Sequence, residues 1–255
     1  MIDEKHTGDD FDPASLAGGN WIWGDIVVTD TTASTNADAA AAARAGAAEG
    51  TVFTTRHQSA GRGRLGRSFE LPPGTGIAVS VVLRPHMPLA AWSWLPLLTG
   101  LAVLDTVRDL GVDARLKWPN DVLAGGRKIS GILLEAVDGT AAVIGIGLNV
   151  SVTADDLPVP TATSLLLEGA ASTDRTDVLR RLLDHLDSWY RRWIDGADVR
   201  TAYRADCATV GQQVRVERPE GLLTGLAEDI DAAGRLVVDG QPLSAGDVTH
   251  VRPQR

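Results

Sequence analysis

The stretch Gly61-Arg62-Gly63-Arg64-Leu65-Gly66-Arg67 decides how this chain is read. Its glycines spell the GxGxxG pattern of a dinucleotide-binding turn. That turn needs a strand before it and a helix directly after it, so that the helix N-terminus meets a pyrophosphate. Here Arg67-Ser68-Phe69-Glu70-Leu71-Pro72-Pro73 follows, which cannot start that helix. The doubly wound reading falls. What remains is a loop of three glycines and three arginines in an acidic chain. Glycine permits positive φ and close backbone approach, and guanidinium forks suit carboxylate and phosphate oxygens. The stretch predicts an anion site on a loop.

Working outward, Asp25 to Thr29 and Thr51 to Thr55 read as strands leading towards that loop. Between them, Ser34-Thr35-Asn36 precedes an alanine-rich run, Ala37 to Ala48. Alanine is the best helix former, and Ser, Thr and Asn are good N-caps, so a helix is expected there, closed by Gly50. Beyond the loop, Ile77 to Leu83 is an apolar strand and Trp92 to Leu110 a helix with Pro96 near its start. Arg115 to Trp118 is a strand, and Val122-Leu123-Ala124, Gly125-Gly126 and Lys128 to Ala136 read as a hairpin. Gly126-x-x-x-x-Gly131 begins like a phosphate-binding P-loop, but Ile132-Leu133 stand where Lys and Ser/Thr are required. Val143 to Val150 is a strand with Gly145 and Gly147 inside it. Interior strand glycines mark a bulge or a close approach.

Leu179, Leu182, Leu183, Leu186, Trp189, Tyr190 and Trp193 recur at helical spacing within Thr176 to Ile194. That stripe is core packing rather than a ligand cage. A second helical piece covers Val199 to Cys207. After Gly211 the texture changes to four short strands, near Val214, Gly221 to Ala227, Leu236 to Val238 and Val248 to Val251, separated by Gly, Asp and Pro. This predicts a small β-barrel. The expected division is a leader, 1–20, a larger unit, 21–207, and a small β unit, 208–255.

The 255 residues carry 24 Lys+Arg against 33 Asp+Glu, a formal net charge of −9. That balance argues against bulk nucleic-acid or membrane binding, which favour basic surfaces. The single cysteine, Cys207, cannot form an internal disulfide or a multi-Cys zinc site, in keeping with a reducing, cytoplasmic compartment. The five histidines show no ligand spacing, and no metal site is expected. Met1 to Gly19 has no apolar run, so neither a signal peptide nor a membrane span is expected there.

Four polar or glycine clusters interrupt good strands or sit at their ends: Ser34 to Asn36, Gln58 to Arg67, Lys117 to Asp121 and Lys128 to Gly131. Gly145 to Asn149 is a fifth. Interrupted strand ends around one sheet can build one pocket. Arg62, Arg64, Lys117 and Lys128 would make one part cationic. Ser34, Thr35, Asn36, Gln58, Asn120 and Asn149 would offer neutral hydrogen bonds. The combination suits a ligand with an anionic part and a polar, uncharged head.

GRGRLGR (61–67), KWPNDV (117–122), GRKISGILLE (126–135) and GIGLNV (145–150) occur in this order, after Ala33-Ser34-Thr35-Asn36. Together they closely resemble the biotin protein ligase family, over about Trp21 to Arg252. The resemblance implies an α+β fold: a mixed sheet with packed helices, like class II aminoacyl-tRNA synthetases and biotin–lipoate ligases, plus a C-terminal SH3-like β-barrel. It implies ATP-dependent attachment of biotin to a lysine of a biotin carboxyl carrier domain, through biotinyl-5′-AMP. ATP with Mg²⁺ and biotin would be consumed, and acetyl-CoA carboxylase or another biotin-dependent carboxylase would supply the carrier. A lipoate–protein ligase or transferase on the same fold is the alternative. A monomer or weak homodimer is expected.

Carried over position by position, the resemblance implies biotin contacts from Ser34, Thr35, Asn36, Gln58, Gly61, Arg62, Gly63, Arg64, Lys128 and Gly131. It implies nucleotide contacts from Arg64, Arg67, Phe69, Asn120, Gly145, Gly147 and Asn149. Arg64, Lys117 and Lys128 would act on the reacting oxygens. Phe69 stands where the family often has Trp, and lacks the indole N–H. Larger family members carry an N-terminal helix-turn-helix domain. About 20 residues before Trp21 are too few for one, so a monofunctional form without DNA binding is expected. The loop from Gln58 to Phe69 is expected to be mobile when empty.

Overall fold

The computed structural model describes Asp12, Leu16 and residues 22–218, 221–244 and 246–251. The expected leader, apart from Asp12 and Leu16, lies outside the described residues, as does Trp21.

Chain order is β1 (Ile26–Thr32), α1 (Thr35–Arg44), β2 (Val52–Gln58), β3 (Gly76–Leu83), α2 (Leu95–Asp109), β4 (Ala114–Lys117), β5 (Asp121–Ala124), β6 (Arg127–Val137) and β7 (Ala141–Asn149). Then come α3 (Arg175–Ile194), α4 (Val199–Asp206), β8 (Gln213–Arg218), β9 (Gly221–Ile230), β10 (Leu236–Val238), β11 (Gln241–Leu243) and β12 (Asp247–His250). Among the described residues β1 to β7 form one sheet in the order β1-β2-β3-β7-β6-β5-β4. β1 and β2 run parallel; the other neighbours are antiparallel.

Alternation along β7 explains the layering, because successive strand side chains point to opposite faces. Ala142, Ile144, Ile146 and Leu148 enter the main core with α2 and α3. Ala141 and Val143 face the other way and meet Ala39, Ala40 and Ala43 of α1. Small side chains on both partners let α1 lie close to the sheet. Gly145 and Gly147 continue that second face, beyond the alanine contact.

Several expectations shift at element ends. The alanine helix stops at Arg44, and Gly46 takes φ +94° just beyond it, so Gly50 is not its terminator. The expected Trp92 helix begins as a 3-10 turn over Leu89–Trp94 and becomes α-helical at Leu95. Pro96 sits in the first turn, where its missing N–H breaks no hydrogen bond. The stretch Leu89–Asp109 is long and apolar enough to cross a membrane by length and composition, but most of it is buried in the core.

The second sheet is antiparallel, in the order β11-β10-β9-β8-β12. It has five strands among the described residues where four were expected. The extra one, β11, is three residues long and contains Pro242. It follows Asp239 (φ +44°) and Gly240 (φ +75°), an Asp-Gly hairpin turn. The two sheets are held together by the turn between β9 and β10. Trp94 Nε1 donates to Ala232 O at 2.9 Å, Ser93 Oγ to Ala233 O at 2.8 Å, and Trp118 Nε1 to Gly234 O at 3.0 Å.

Candidate active site

An open cavity of about 820 Å³ lies on the α1 side of the larger sheet. Its floor follows from strand register. Gly147 of β7 pairs with Ala78 of β3 on one side and Gly131 of β6 on the other. One step along the same face, Gly145 pairs with Ser80 and with Leu133. Three glycines, an alanine and a serine therefore occupy adjacent floor positions. Few side chains rise from the sheet there.

The glycines also seat the site's own side chains. A Cβ at Gly145 would strike Asn36, one at Gly147 the Phe69 ring, and one at Gly131 would come within 2.9 Å of Lys128 Nζ.

One end of the cavity presents uncharged hydrogen-bonding groups. Ser34 caps α1, its Oγ accepting from Ala37 N at 3.4 Å, and so brings Thr35 and Asn36 to the rim. Gln58 Oε1 accepts from Thr35 N at 2.9 Å. That leaves the Gln58 amide N–H groups to offer a ligand. The Ser80 hydroxyl donates to Asn36 Oδ1 at 2.6 Å. Asn36 Nδ2 donates to Glu135 Oε2 at 2.7 Å, and Arg62 Nη2 reaches the same oxygen at 3.3 Å.

The other end is cationic. Arg64 Nη1 donates to Asn120 Oδ1 at 2.9 Å. Asn120 Nδ2 donates to Ile132 O at 3.1 Å and Asp121 Oδ1 at 3.3 Å. Lys128 Nζ pairs with Asp121 Oδ1 at 2.7 Å. Arg67 forms an ion pair with Asp247 of β12, which brings the second sheet to the cavity wall. Burial pushes the Arg64 guanidinium down from its ordinary value, against the pull of Asp121 and Asp247. The hydrogen bonds to Asp247 push Arg67 up. Arg62, Arg67 and Lys128 each have a carboxylate partner, whereas Arg64 rests on a neutral amide. An anion near Arg64 would relieve its unfavourable burial.

The arginine loop folds on itself. Gly63 N donates to Arg67 O at 2.6 Å and Phe69 N to Gly61 O at 2.9 Å, around a 3-10 turn over Arg64–Gly66.

Of the residues singled out from the sequence, Ser34, Thr35, Asn36, Gln58, Asn120, Lys128 and Gly131 line this one cavity. So do Arg62, Gly63, Arg64, Arg67 and Phe69 of the loop, and Gly145 and Gly147 of the floor. Three stand outside the lining. Gly61 lies behind Phe69 and Gln58. Lys117 pairs with Asp121 across β4 and β5, but it sits at the sheet edge and its charge acts on His250. Asn149 is buried, with Nδ2 donating to Thr163 O at 2.7 Å and Oδ1 without a partner.

Sequence reasoning missed Ser80, Glu135 and Asp247. Ser80 had a signal, as a lone hydroxyl inside an apolar strand. Glu135 closes the apolar run of β6. Asp247 had none, because it is 180 residues from Arg67.

Among the described residues no group of three or more His, Cys, Asp or Glu side chains is placed to hold a metal ion. Magnesium that arrives on a triphosphate needs no such cage, since phosphate oxygens and water fill most of its sites.

Residues 28–151 match the biotin/lipoate A/B protein ligase family and residues 209–251 the biotin protein ligase C-terminal domain. The biotin–[acetyl-CoA-carboxylase] ligase of Mycobacterium tuberculosis is 42% identical, across 98% of this chain and 96% of its own. The chain belongs to the biotin protein ligase family. A second ligase of the family, from Paracoccus denitrificans, is 33% identical over 82% of this chain and 92% of its own. The biotin protein ligase of Aquifex aeolicus, solved with biotin and ATP, superposes with a TM-score of 0.76 at 24% identity, covering 91% of this chain. That likeness extends the shared fold across both sheets of this biotin protein ligase.

Proposed function

We propose that this chain attaches biotin to a lysine of the biotin carboxyl carrier domain of acetyl-CoA carboxylase, at the expense of ATP. The observation that carries the assignment is one cavity with two chemically distinct ends. Thr35, Asn36 and Gln58 form a neutral hydrogen-bonding end, and Arg64 and Lys128 a cationic one.

In the first step a biotin carboxylate oxygen attacks the α-phosphorus of ATP. The α–β phosphoanhydride bond breaks and pyrophosphate leaves, giving biotinyl-5′-AMP. Carboxylate and triphosphate repel each other, so fixed cations between them lower the barrier. Arg64 and Lys128 supply that charge. Mg²⁺ bound to the ATP phosphates adds positive charge at the phosphoryl oxygens. In the second step the carrier lysine, as a free amine, attacks the acyl carbon. The bond to phosphate breaks, AMP leaves, and the nitrogen gives up a proton as the amide forms.

The neutral end suits the cyclic urea of biotin, which has two N–H donors and a carbonyl acceptor. Gln58, Asn36, Ser34 and Thr35 would bind it, with Arg62 and Gly63 closing beside the carboxylate. Arg67, Phe69 and Asn120 would contact the nucleotide. The orphan Asn149 Oδ1 suits an amino donor such as the adenine ring carries. We assign the catalytic unit to 21–207 and the small β unit to 208–255, and place the enzyme in the cytoplasm as a monomer or weak homodimer.

Transfer of labelled biotin to a carrier domain in the presence of ATP tests the assignment. Labelled amide dependent on both ATP and the acceptor lysine is expected. Transfer of lipoate in preference to biotin would overturn it.

A further inference from the structure

Glu135 is not part of the cavity lining, yet it touches two residues that are. Register sets it beside Val143 of β7, on the face that carries Gly145 and Gly147. Its Oε2 accepts from Asn36 Nδ2 at 2.7 Å and Arg62 Nη2 at 3.3 Å. The side chains of Glu135 and Arg62 are 30% and 47% exposed, and so open an ion pair adds little to stability. Its consequence lies in orientation.

Asn36 is held from two sides. The Ser80 hydroxyl donates to its Oδ1 at 2.6 Å, and the Glu135 carboxylate takes one hydrogen of its Nδ2. A reversed amide would set oxygen against carboxylate, two acceptors with no proton between them. What Asn36 has left to offer is its second N–H. Gly145 leaves the room for this seat.

We propose that Glu135 is a positioning residue for recognition of the ligand's head. It fixes Asn36 as a hydrogen-bond donor and tethers Arg62 of the loop beside it, so the head site and the loop engage as one unit. The ligand selected is one whose polar head presents a carbonyl oxygen. The inference rests on the biotin ligase reading, in which the urea carbonyl is that oxygen.

Biotin-dependent pyrophosphate release tests it in four proteins: the parent, Glu135→Gln, the double variant Asn36→Ala/Arg62→Ala, and the triple variant. Glu135→Gln replaces the carboxylate with an amide that can present either oxygen or N–H to Asn36, and should raise the biotin KM about tenfold, the scale of one charge-assisted hydrogen bond. It should leave the ATP KM and the urea midpoint unchanged. In the double-variant background the same substitution should change the biotin KM by less than about twofold, because its targets are gone. A Glu135→Gln KM within about twofold of the parent overturns the proposal. So does a tenfold effect that persists in the double variant. Should Glu135→Gln not fold, Glu135→Asp withdraws the carboxylate from Asn36 by one methylene. A rise in biotin KM there that vanishes in the double-variant background supports the proposal, and an unchanged KM overturns it. A parent that releases no pyrophosphate with biotin would defeat the ligase reading itself, separately from any variant's KM.

Discussion

Arg67 of the arginine loop engages Asp247 of β12 through both terminal guanidinium nitrogens, Nη1 lying 3.4 Å from Oδ1. This contact ties the loop over the larger sheet to a strand of the smaller one. The pair is open to solvent, so its weight in stability is below about 1 kcal/mol. Asp247→Ala should leave the urea midpoint nearly unchanged, while calorimetry should show altered ATP affinity. Unaltered ATP affinity would mean that the contact does not place Arg67 for the nucleotide.

Arg64 is the cation of the site with a neutral partner, and burial disfavours its charge. A bound acyl-phosphate would offset that cost. Arg64→Ala should release biotinyl-5′-AMP faster, by about tenfold or more, as one charge-assisted contact is lost. Rapid filtration of the labelled intermediate measures the release rate. A rate equal to the parent's would remove Arg64 from this role.

Gly145 gives Asn36 its place. A Cβ there would lie 2.8 Å from Asn36 Cγ, with backbone of the sheet fixed beneath it. Gly145→Ala should cost about 1–3 kcal/mol of stability by overpacking. Biotin affinity should fall with it, because Asn36 must move. Urea denaturation and calorimetry give the two numbers, and retained affinity in a destabilised variant would separate Asn36 from biotin.

The His250 imidazole is held below its ordinary value, first by burial and then by the charge of Lys117. The geometry agrees. Thr209 Oγ1 accepts from Trp118 N at 3.1 Å and lies 3.1 Å from His250 Nε2, to which its hydroxyl proton can be donated when that nitrogen is unprotonated. The unfolded chain takes up this proton near pH 6.5, the ordinary value, and the folded chain only at lower pH. Unfolded protein therefore binds more protons in that interval. Stability should fall as pH drops below about 6.5 through the depressed folded value, with no contribution from His250 above it. Urea midpoints at a series of pH values should show this slope in the parent and a shallower one in His250→Gln. Equal slopes would assign the pH dependence to other groups.

Much of the site was legible because its chemistry is written in short runs. Ser34 to Asn36 could be read as both a cap and a ligand edge, and the structure has Ser34 as the cap with Thr35 and Asn36 at the rim. The strands of the larger sheet were visible as apolar runs. The five-stranded second sheet was read one strand short, since three residues around Pro242 carry no period. The glycines of β7 read as places of close approach, and the structure shows that Asn36 and Phe69 do the approaching.

The sequence by itself determined most of the elements, the loop's charge and the family, because these depend on residue types at short spacing. Periodicity, caps and the motifs from Gly61 to Val150 needed no third dimension. Tertiary structure alone decided which groups meet. Pairing of β6, β7 and β3 put Gly131, Gly147 and Ala78 in one row, and so made the floor. Packing of the two sheets set Asp247 against Arg67, and strand register set Glu135 between Asn36 and Arg62. Contacts between segments tens to hundreds of residues apart leave no local pattern, because neither partner's own conformation requires the other.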